Sequence, residues 1–409
     1  MQDPPQILLI ADDLTGAADA AASIADRGLV TLLSLSGVEK FPVDALVYTT
    51  DSRERAREEA AQSVQTLVSD LLREGHLSRA RLIYKKIDST LRGHPLAELT
   101  ALMQTAALDR ALVAPAFPAQ SRTTVSRRQL VGGAPLEETP FRGEIESSDL
   151  AVVFGKYPKP ATYLGLDEIR GPNEALFLRL SRADSGLFVA DAETDGDLAA
   201  LAQASLAAGL RLFCGSAGLM SALIGTPGWS SHASKPKAAP HAVGPCLIVA
   251  GSRHPRTRDQ VLRLQSEGIA ALRVPATSPI GEARVAEICA DVSSRLRQGR
   301  DVVLALQEDD RGPTTQAGAR RLAEMCCRII ADAPPSSLIL TGGDTARAVA
   351  LAFEVSAILI LGEIVTGLPH GVLRGGRLSG VPVATKAGGF GAPDALLSAL
   401  DHLKSGRTG

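Results

Sequence analysis

Three short polar clusters carry the residue types that could do chemistry in this chain, and each follows an apolar run. Asp12-Asp13 follows Ile7-Leu8-Leu9-Ile10-Ala11, with Thr15 and Gly16 just beyond. Asp51-Ser52-Arg53 follows Ala45–Thr49, and Lys85-Lys86-Ile87-Asp88-Ser89-Thr90-Leu91-Arg92 closes the run that begins at Arg81. Arg53 and Arg92 can fork onto a carboxylate or phosphate, and the aspartates can accept hydrogen bonds from hydroxyl groups. The ligand this chemistry suits is small, anionic and hydroxylated. Each cluster also has a plain structural use, because Asp12 or Asp13, Asp51-Ser52 and Asp88-Ser89-Thr90 could cap the helices that follow them.

A second set lies in the C-terminal half. Leu338-Ile339-Leu340 leads into Thr341-Gly342-Gly343-Asp344-Thr345-Ala346, Cys246–Ala250 into Gly251-Ser252, and a last cluster reads Thr385-Lys386-Ala387-Gly388-Gly389-Phe390-Gly391. Strand, glycine loop and helix start together make an anion site, because glycines admit close approach and a helix N-terminus offers N–H donors. Lys386 could neutralise a phosphate. The chain has neither GxxxxGK[ST] nor a clean GxGxxG after a strand.

To converge, these clusters need strands whose carboxyl ends share one edge, and strand–helix alternation supplies that. A charged amphipathic helix is expected from about Glu54 to Arg73, with Ala56, Ala60, Val64, Leu67 and Leu71 along one face. Further strands are expected at Val30–Leu35, Ala111–Ala116, Thr162–Leu166, Leu187–Asp191, Arg211–Cys214 and Val302–Leu306. Such alternation predicts an α/β fold of two doubly wound, mainly parallel sheets, with ligands at the strand ends. Residues 120–154 break the pattern and read as a flap or hairpin. Residues 226–243 are rich in Pro, Ser, Ala and Lys and read as a linker between a domain at 1–225 and another at 244–409. Nothing in the sequence decides which domain Trp229 packs on.

Composition bounds the rest. The chain has 409 residues, 45% hydrophobic and 3% aromatic, so its cores should be aliphatic. A formal net charge of -2 gives no electrostatic reason to expect nucleic acid or an anionic membrane as partner. The five cysteines contain no CxxC pair and read as free, mostly buried thiols of a cytoplasmic protein. No signal region or membrane-spanning run is apparent.

Ala-Asp-Asp-Leu-Thr-Gly-Ala at 11–17, Asp-Ser-Arg at 51–53, Lys-Lys-Ile-Asp-Ser-Thr-Leu-Arg-Gly at 85–93, Ala-Pro-Ala-Phe-Pro-Ala-Gln at 114–120, Gly-Gly-Asp-Thr-Ala at 342–346 and Lys-Ala-Gly-Gly-Phe-Gly at 386–391 resemble the four-carbon acid sugar kinase family, in order and over the whole chain. The resemblance implies an N-terminal domain for a sugar acid and a C-terminal domain for ATP, and phosphoryl transfer of this kind is expected to use Mg²⁺. The expected reaction phosphorylates the terminal hydroxyl of threonate, erythronate or 3-oxo-tetronate. Asp13, Arg53, Lys86, Asp88 and Ser89 fall in its substrate motifs. Ser252, Gly342, Gly343, Asp344, Thr345 and Gly389 fall in its nucleotide motifs. Asp12, Asp51, Thr90 and Arg92 join the first set, and Lys386 and Gly388 the second. Two departures stand out: Ala387 where the family more often has Ser, and Ser126-Arg127-Arg128 after Arg122-Thr123-Thr124.

In the expected mechanism Arg53 and Lys86 hold the substrate carboxylate, and Asp13 or Asp88 orients and deprotonates the hydroxyl. Lys386 and the loop amides then steady the phosphoryl group, with domain closure hinging at the linker. Two other readings stay open: a non-catalytic sensor of sugar acid and nucleotide, and an aldolase or lyase using Lys85 or Lys86 as a Schiff-base amine. The partners are small molecules, with a homo-oligomer possible in principle.

Overall fold

A computed structural model describes residues 5–37, 42–159, 161–182, 185–232, 242–307 and 315–405. The chain divides into two compact units, residues 1–31 with 38–235 and residues 32–37 with 236–409.

The strands of the first half are β1 (Ile7–Ala11), β2 (Thr31–Ser34), β3 (Ala45–Thr49), β4 (Leu82–Lys86), β5 (Arg110–Ala114), β6 (Arg122–Val125), β7 (Arg128–Val131), β8 (Ala134–Pro135), β9 (Ala161–Leu164), β10 (Gly186–Ala190) and β11 (Leu212–Gly215). Seven of them form the sheet of the first unit, in the order β3-β1-β4-β11-β5-β10-β9, and every neighbouring pair is parallel. Every residue of β1 is fully buried, as a central strand covered on both faces requires. The Ala-rich Leu14–Asp26 helix lies close to this strand because Ala17, Ala18, Ala20, Ala21 and Ala22 are small and fully buried. The Arg57–Arg73 helix buries Ala60, Val64, Val68 and Leu71. Val68 takes the place expected of Leu67, and Ala56 is the exposed residue before the helix.

Residues 120–154 hold a small antiparallel sheet, β6-β7-β8. The β6–β7 turn places Ser126 and Arg127 at φ 50° and 68°, left-handed backbone that costs side chains energy. The Asp191 carboxylate compensates by accepting both turn amides at 2.8 Å. Part of the expected linker belongs to the first unit. Trp229 Nε1 donates to Leu223 O at 2.9 Å, Arg81 lies 4.3 Å over its ring, and His232 N donates to Asp44 Oδ1 at 2.8 Å. Residues 233–241 of that stretch lie outside the described residues.

The second unit contains β12 (Cys246–Ala250), β13 (Ala270–Val274), β14 (Val302–Leu306), β15 (Ser337–Thr341), β16 (Ala357–Val365), β17 (Leu368–Arg374) and β18 (Pro382–Lys386). Their order is β13-β14-β12-β15-β18-β17-β16. The first five are parallel, and β17 runs antiparallel to both neighbours. Residues 32–37 complete this unit, with Leu35 N donating to Ser356 O at 2.8 Å. No helix among the described residues is long and apolar enough to cross a membrane. The cysteines are free, and all but Cys327 are buried.

Candidate active site

Register brings the first three clusters together. Ala11 at the end of β1 pairs with Thr49 of β3 and Lys86 of β4, so Asp12, the 50–53 turn and the 87–92 turn leave the sheet side by side. Asp51 adopts left-handed backbone (φ 50°), the turn that carries Ser52 and Arg53 back toward β1. The Ser52 and Arg53 amides then donate to Asp12 O.

Arg53 is the hub of the cluster. Its Nε and NH2 donate to the Asp12 carboxylate at 2.7 and 3.0 Å, NH2 also reaches Asp13 Oδ1 at 2.7 Å, and NH1 lies 3.8 Å from Asp88 Oδ2. Glycine at 93 (φ 81°) leaves room for this, since a Cβ there would meet Asp12 Oδ2 and Arg53. Burial would raise the Asp12 carboxyl, but Arg53, Lys85 and Lys86 outweigh it and hold it below its ordinary value. Burial also works against ionised Asp88, yet Arg92, Arg53 and the Thr90 amide hold it far below the carboxylate range. Asp13 does cap the Leu14–Asp26 helix, accepting Gly16 N at 3.0 Å and the Thr15 hydroxyl at 2.5 Å.

The two lysines separate. Lys85 is fully buried, with Nζ 2.7 Å from Glu98 Oε2. Burial would lower its pKa, but Glu98 and Asp12 raise it above the usual lysine value, which favours the ammonium over the neutral amine that a Schiff base needs. Lys86 Nζ donates to Ile87 O at 2.9 Å and lies beside Gly16, where a Cβ would come within 2.9 Å of it. Glu98 also accepts from Ser52 Oγ at 2.9 Å, buttressing the 50–53 turn from behind. Gln129 of the small sheet donates to Ser89 O at 2.7 Å, and Arg92 pairs with Glu144 at 3.3 Å. Thr90 Oγ is buried with no hydrogen-bond partner.

In the second unit Thr341 pairs with Ala250 on one side and Lys386 on the other, so the three glycine loops also share an edge. They touch where a side chain would not fit. A Cβ at Gly388 would collide with Ser252 Oγ, and one at Gly251 with Thr345 Oγ1. At Gly342 a Cβ would stand 3.5 Å from Ser252 N. Gly342, at φ 93°, precedes the Gly343–Ala352 helix, which no side chain caps and whose first turn carries Asp344 and Thr345. That leaves a glycine-lined cradle over an open helix N-terminus, which suits a polyphosphate. The side chain expected to meet the phosphates instead turns back on its own loop. Lys386 Nζ donates to the carbonyls of Ala387, Gly388 and Phe390 at 2.8, 3.1 and 3.1 Å. Burial lowers its pKa to about 7, with Arg256 pushing the same way.

A family model described as the sugar-binding N-terminal domain matches residues 7–223, and one described as the nucleotide-binding C-terminal domain matches residues 247–396. The chain belongs to the four-carbon acid sugar kinase family. Among its relatives, the D-threonate kinase of Cupriavidus necator is 35% identical, with 98% of each chain covered. The 3-oxo-tetronate kinase of Pseudomonas fluorescens is 29% identical, again over 98% of each. In fold the chain is similar to a solved Salmonella typhimurium LT2 structure described as a putative tRNA synthase, at TM-score 0.77 and 19% identity, covering 97% of this chain and 98% of that one. As a member of this family the chain is a sugar-acid kinase, a phosphotransferase acting on a hydroxyl group.

Residues outside the sequence motifs complete both sites. Glu98, Gln129, Thr257 and Gln260 are buried polar side chains facing motif backbone or side chains. Three of them lie within helices, and an isolated polar residue inside an amphipathic stretch carries no signal of which way it faces.

Proposed function

We propose that this protein transfers the terminal phosphoryl group of Mg-ATP to the 4-hydroxyl of a four-carbon sugar acid of the threonate type. The observation that supports it is that each unit gathers its polar loops at one strand edge: an Arg–Asp cluster on the first unit and a glycine cradle over an uncapped helix on the second. Arg92, 29% exposed, and Lys86 would hold the substrate carboxylate. Arg53 is too fully engaged with aspartates for that task, and would instead fix Asp12 and Asp13 in place. Asp13 would orient and deprotonate the attacking hydroxyl, since Asp88 is held ionised by two arginines and makes the poorer base.

Ser252, Gly342, Gly343, Thr345, Gly388 and Gly389 would line the polyphosphate. Asp344, in the first turn of the Gly343–Ala352 helix, would be one carboxylate to hold Mg²⁺, whose chemistry when bound is to offset phosphate charge. No group of three or more metal-ligating side chains stands together among the described residues. The free thiols favour a reducing, cytoplasmic setting.

A coupled ADP-release screen across threonates, erythronates and their 3-oxo forms tests this reading. Turnover dependent on both the acid and Mg-ATP is expected. Nucleotide and acid binding without ADP release would leave the sensor reading standing in its place.

A further inference from the structure

The loop after β18 is held inside out by three side chains. Lys386 Nζ collects the carbonyls of Ala387, Gly388 and Phe390. Thr257 Oγ1 donates to Gly388 O at 2.9 Å. Gln260 Nε2 lies 3.0, 3.3 and 2.9 Å from the carbonyls of Phe390, Gly391 and Ala392. Gln260 is fully buried and its Oε1 has no partner. Chemistry fixes the orientation of this amide, because turning it over would press its oxygen against three carbonyl oxygens.

The consequence lies on the other side of the loop. In a trans peptide the N–H points opposite to the preceding C=O. Drawing in the carbonyls of 387, 388, 390 and 391 therefore turns out the amides of Gly388, Gly389, Gly391 and Ala392. The Phe390 amide is taken separately by Ala387 O at 3.1 Å. Residues 387–391 are half-exposed, and Gly388 and Gly389 lie next to Ser252 and His254. Successive backbone amides turned to one side are the donors from which an anion-binding nest is made.

We infer that Gln260, with Thr257 and Lys386, is a positioning residue of the kinase, holding this loop so that its backbone amides, and not the Lys386 ammonium, meet the nucleotide phosphates. This rests on the nucleotide reading of the second unit given above.

The test compares Gln260→Leu and the milder Thr257→Val with the wild-type full-length protein, using calorimetric titration with ATP, tripolyphosphate and adenosine. Loss of the Gln260 donor should weaken ATP and tripolyphosphate by about tenfold, as expected for one or two hydrogen bonds. Thr257→Val should weaken them by a smaller factor. Adenosine should bind both variants as it binds wild type, and KM for the sugar acid should stay unchanged. Unchanged ATP affinity in folded Gln260→Leu, or equal weakening of adenosine and ATP, would overturn the inference. If Gln260→Leu does not fold, Thr257→Val decides by the same comparison. A wild-type protein that binds the acid but no nucleotide would instead overturn the functional reading itself.

Discussion

Arg53 and Asp12, from the ends of two neighbouring strands, face each other through two parallel hydrogen bonds of 2.7 and 3.0 Å, with side chains only 14% and 4% exposed. This fork ties the 50–53 turn to the end of β1 and holds Arg53 against Asp13 as well. Removing one partner of such a buried pair leaves the other charge uncompensated. Arg53→Ala should therefore cost about 3–5 kcal/mol of stability. Arg53→Lys should recover only part of it, since a point charge cannot make the fork. Denaturant melts check this; a drop below about 1 kcal/mol for Arg53→Ala would show that the hub is not structural.

Asp13 carries two duties that one substitution can separate. Asn caps a helix about as well as Asp, so Asp13→Asn should keep most of the stability while losing on the order of 10²–10⁴ in kcat. Asp88→Asn should chiefly raise KM for the acid, because its carboxylate orders Arg92. A fully active Asp13→Asn beside a dead Asp88→Asn would move the base to the third cluster.

The Lys85–Glu98 pair should behave as structure and not as chemistry. Each single change, Lys85→Met or Glu98→Leu, should destabilise by about 3–5 kcal/mol, and the double change far less, since no charge is left unpaired. Borohydride should trap no carbonyl adduct on Lys85. A trapped adduct there would revive the aldolase reading.

How much of this was legible beforehand can be judged residue by residue. Ile7–Ala11, Ala45–Thr49 and Cys246–Ala250 announce themselves as continuous apolar runs, and polar residues at strand ends could be read as convergent without coordinates. The phase of the Arg57–Arg73 helix was harder, because Leu67 and Val68 are both apolar and only packing chooses Val68. Residues 32–37 gave no sign of joining the second unit, since a short apolar strand looks the same wherever it pairs. Charge alone does not reveal the partners that the structure gives Arg53 and Lys386. A cation near a proposed anion invites a pairing, but the shorter path runs to Asp12 for one and to the loop's own carbonyls for the other. The Ser126-Arg127 turn was illegible for a related reason, because its left-handed backbone is held by Asp191, more than sixty residues away in sequence.

Lys386 makes a pH signature. An unfolded lysine keeps its proton to about pH 10.4, whereas the folded one releases it near 7. Between those values the unfolded chain binds more protons, so stability should rise with pH across that window and level off below it. Lys386→Met should flatten the slope. Phosphates over the loop would favour the charged lysine, so ATP binding at about pH 8 should take up protons. Calorimetry in buffers of different ionisation enthalpy reads this uptake directly, and its absence would contradict the placement of phosphates at this loop.

The central claim is the transfer of a phosphoryl group from ATP to the terminal hydroxyl of a four-carbon acid. Phosphorus NMR of the products from D-threonate and Mg-ATP tests it most directly. The predicted result is ADP together with a phosphomonoester resonance split by the two protons of a terminal methylene. A resonance split by a single proton would place the ester on an inner carbon, and ADP with only inorganic phosphate would mean that no sugar acid is phosphorylated. Either outcome would contradict the claim.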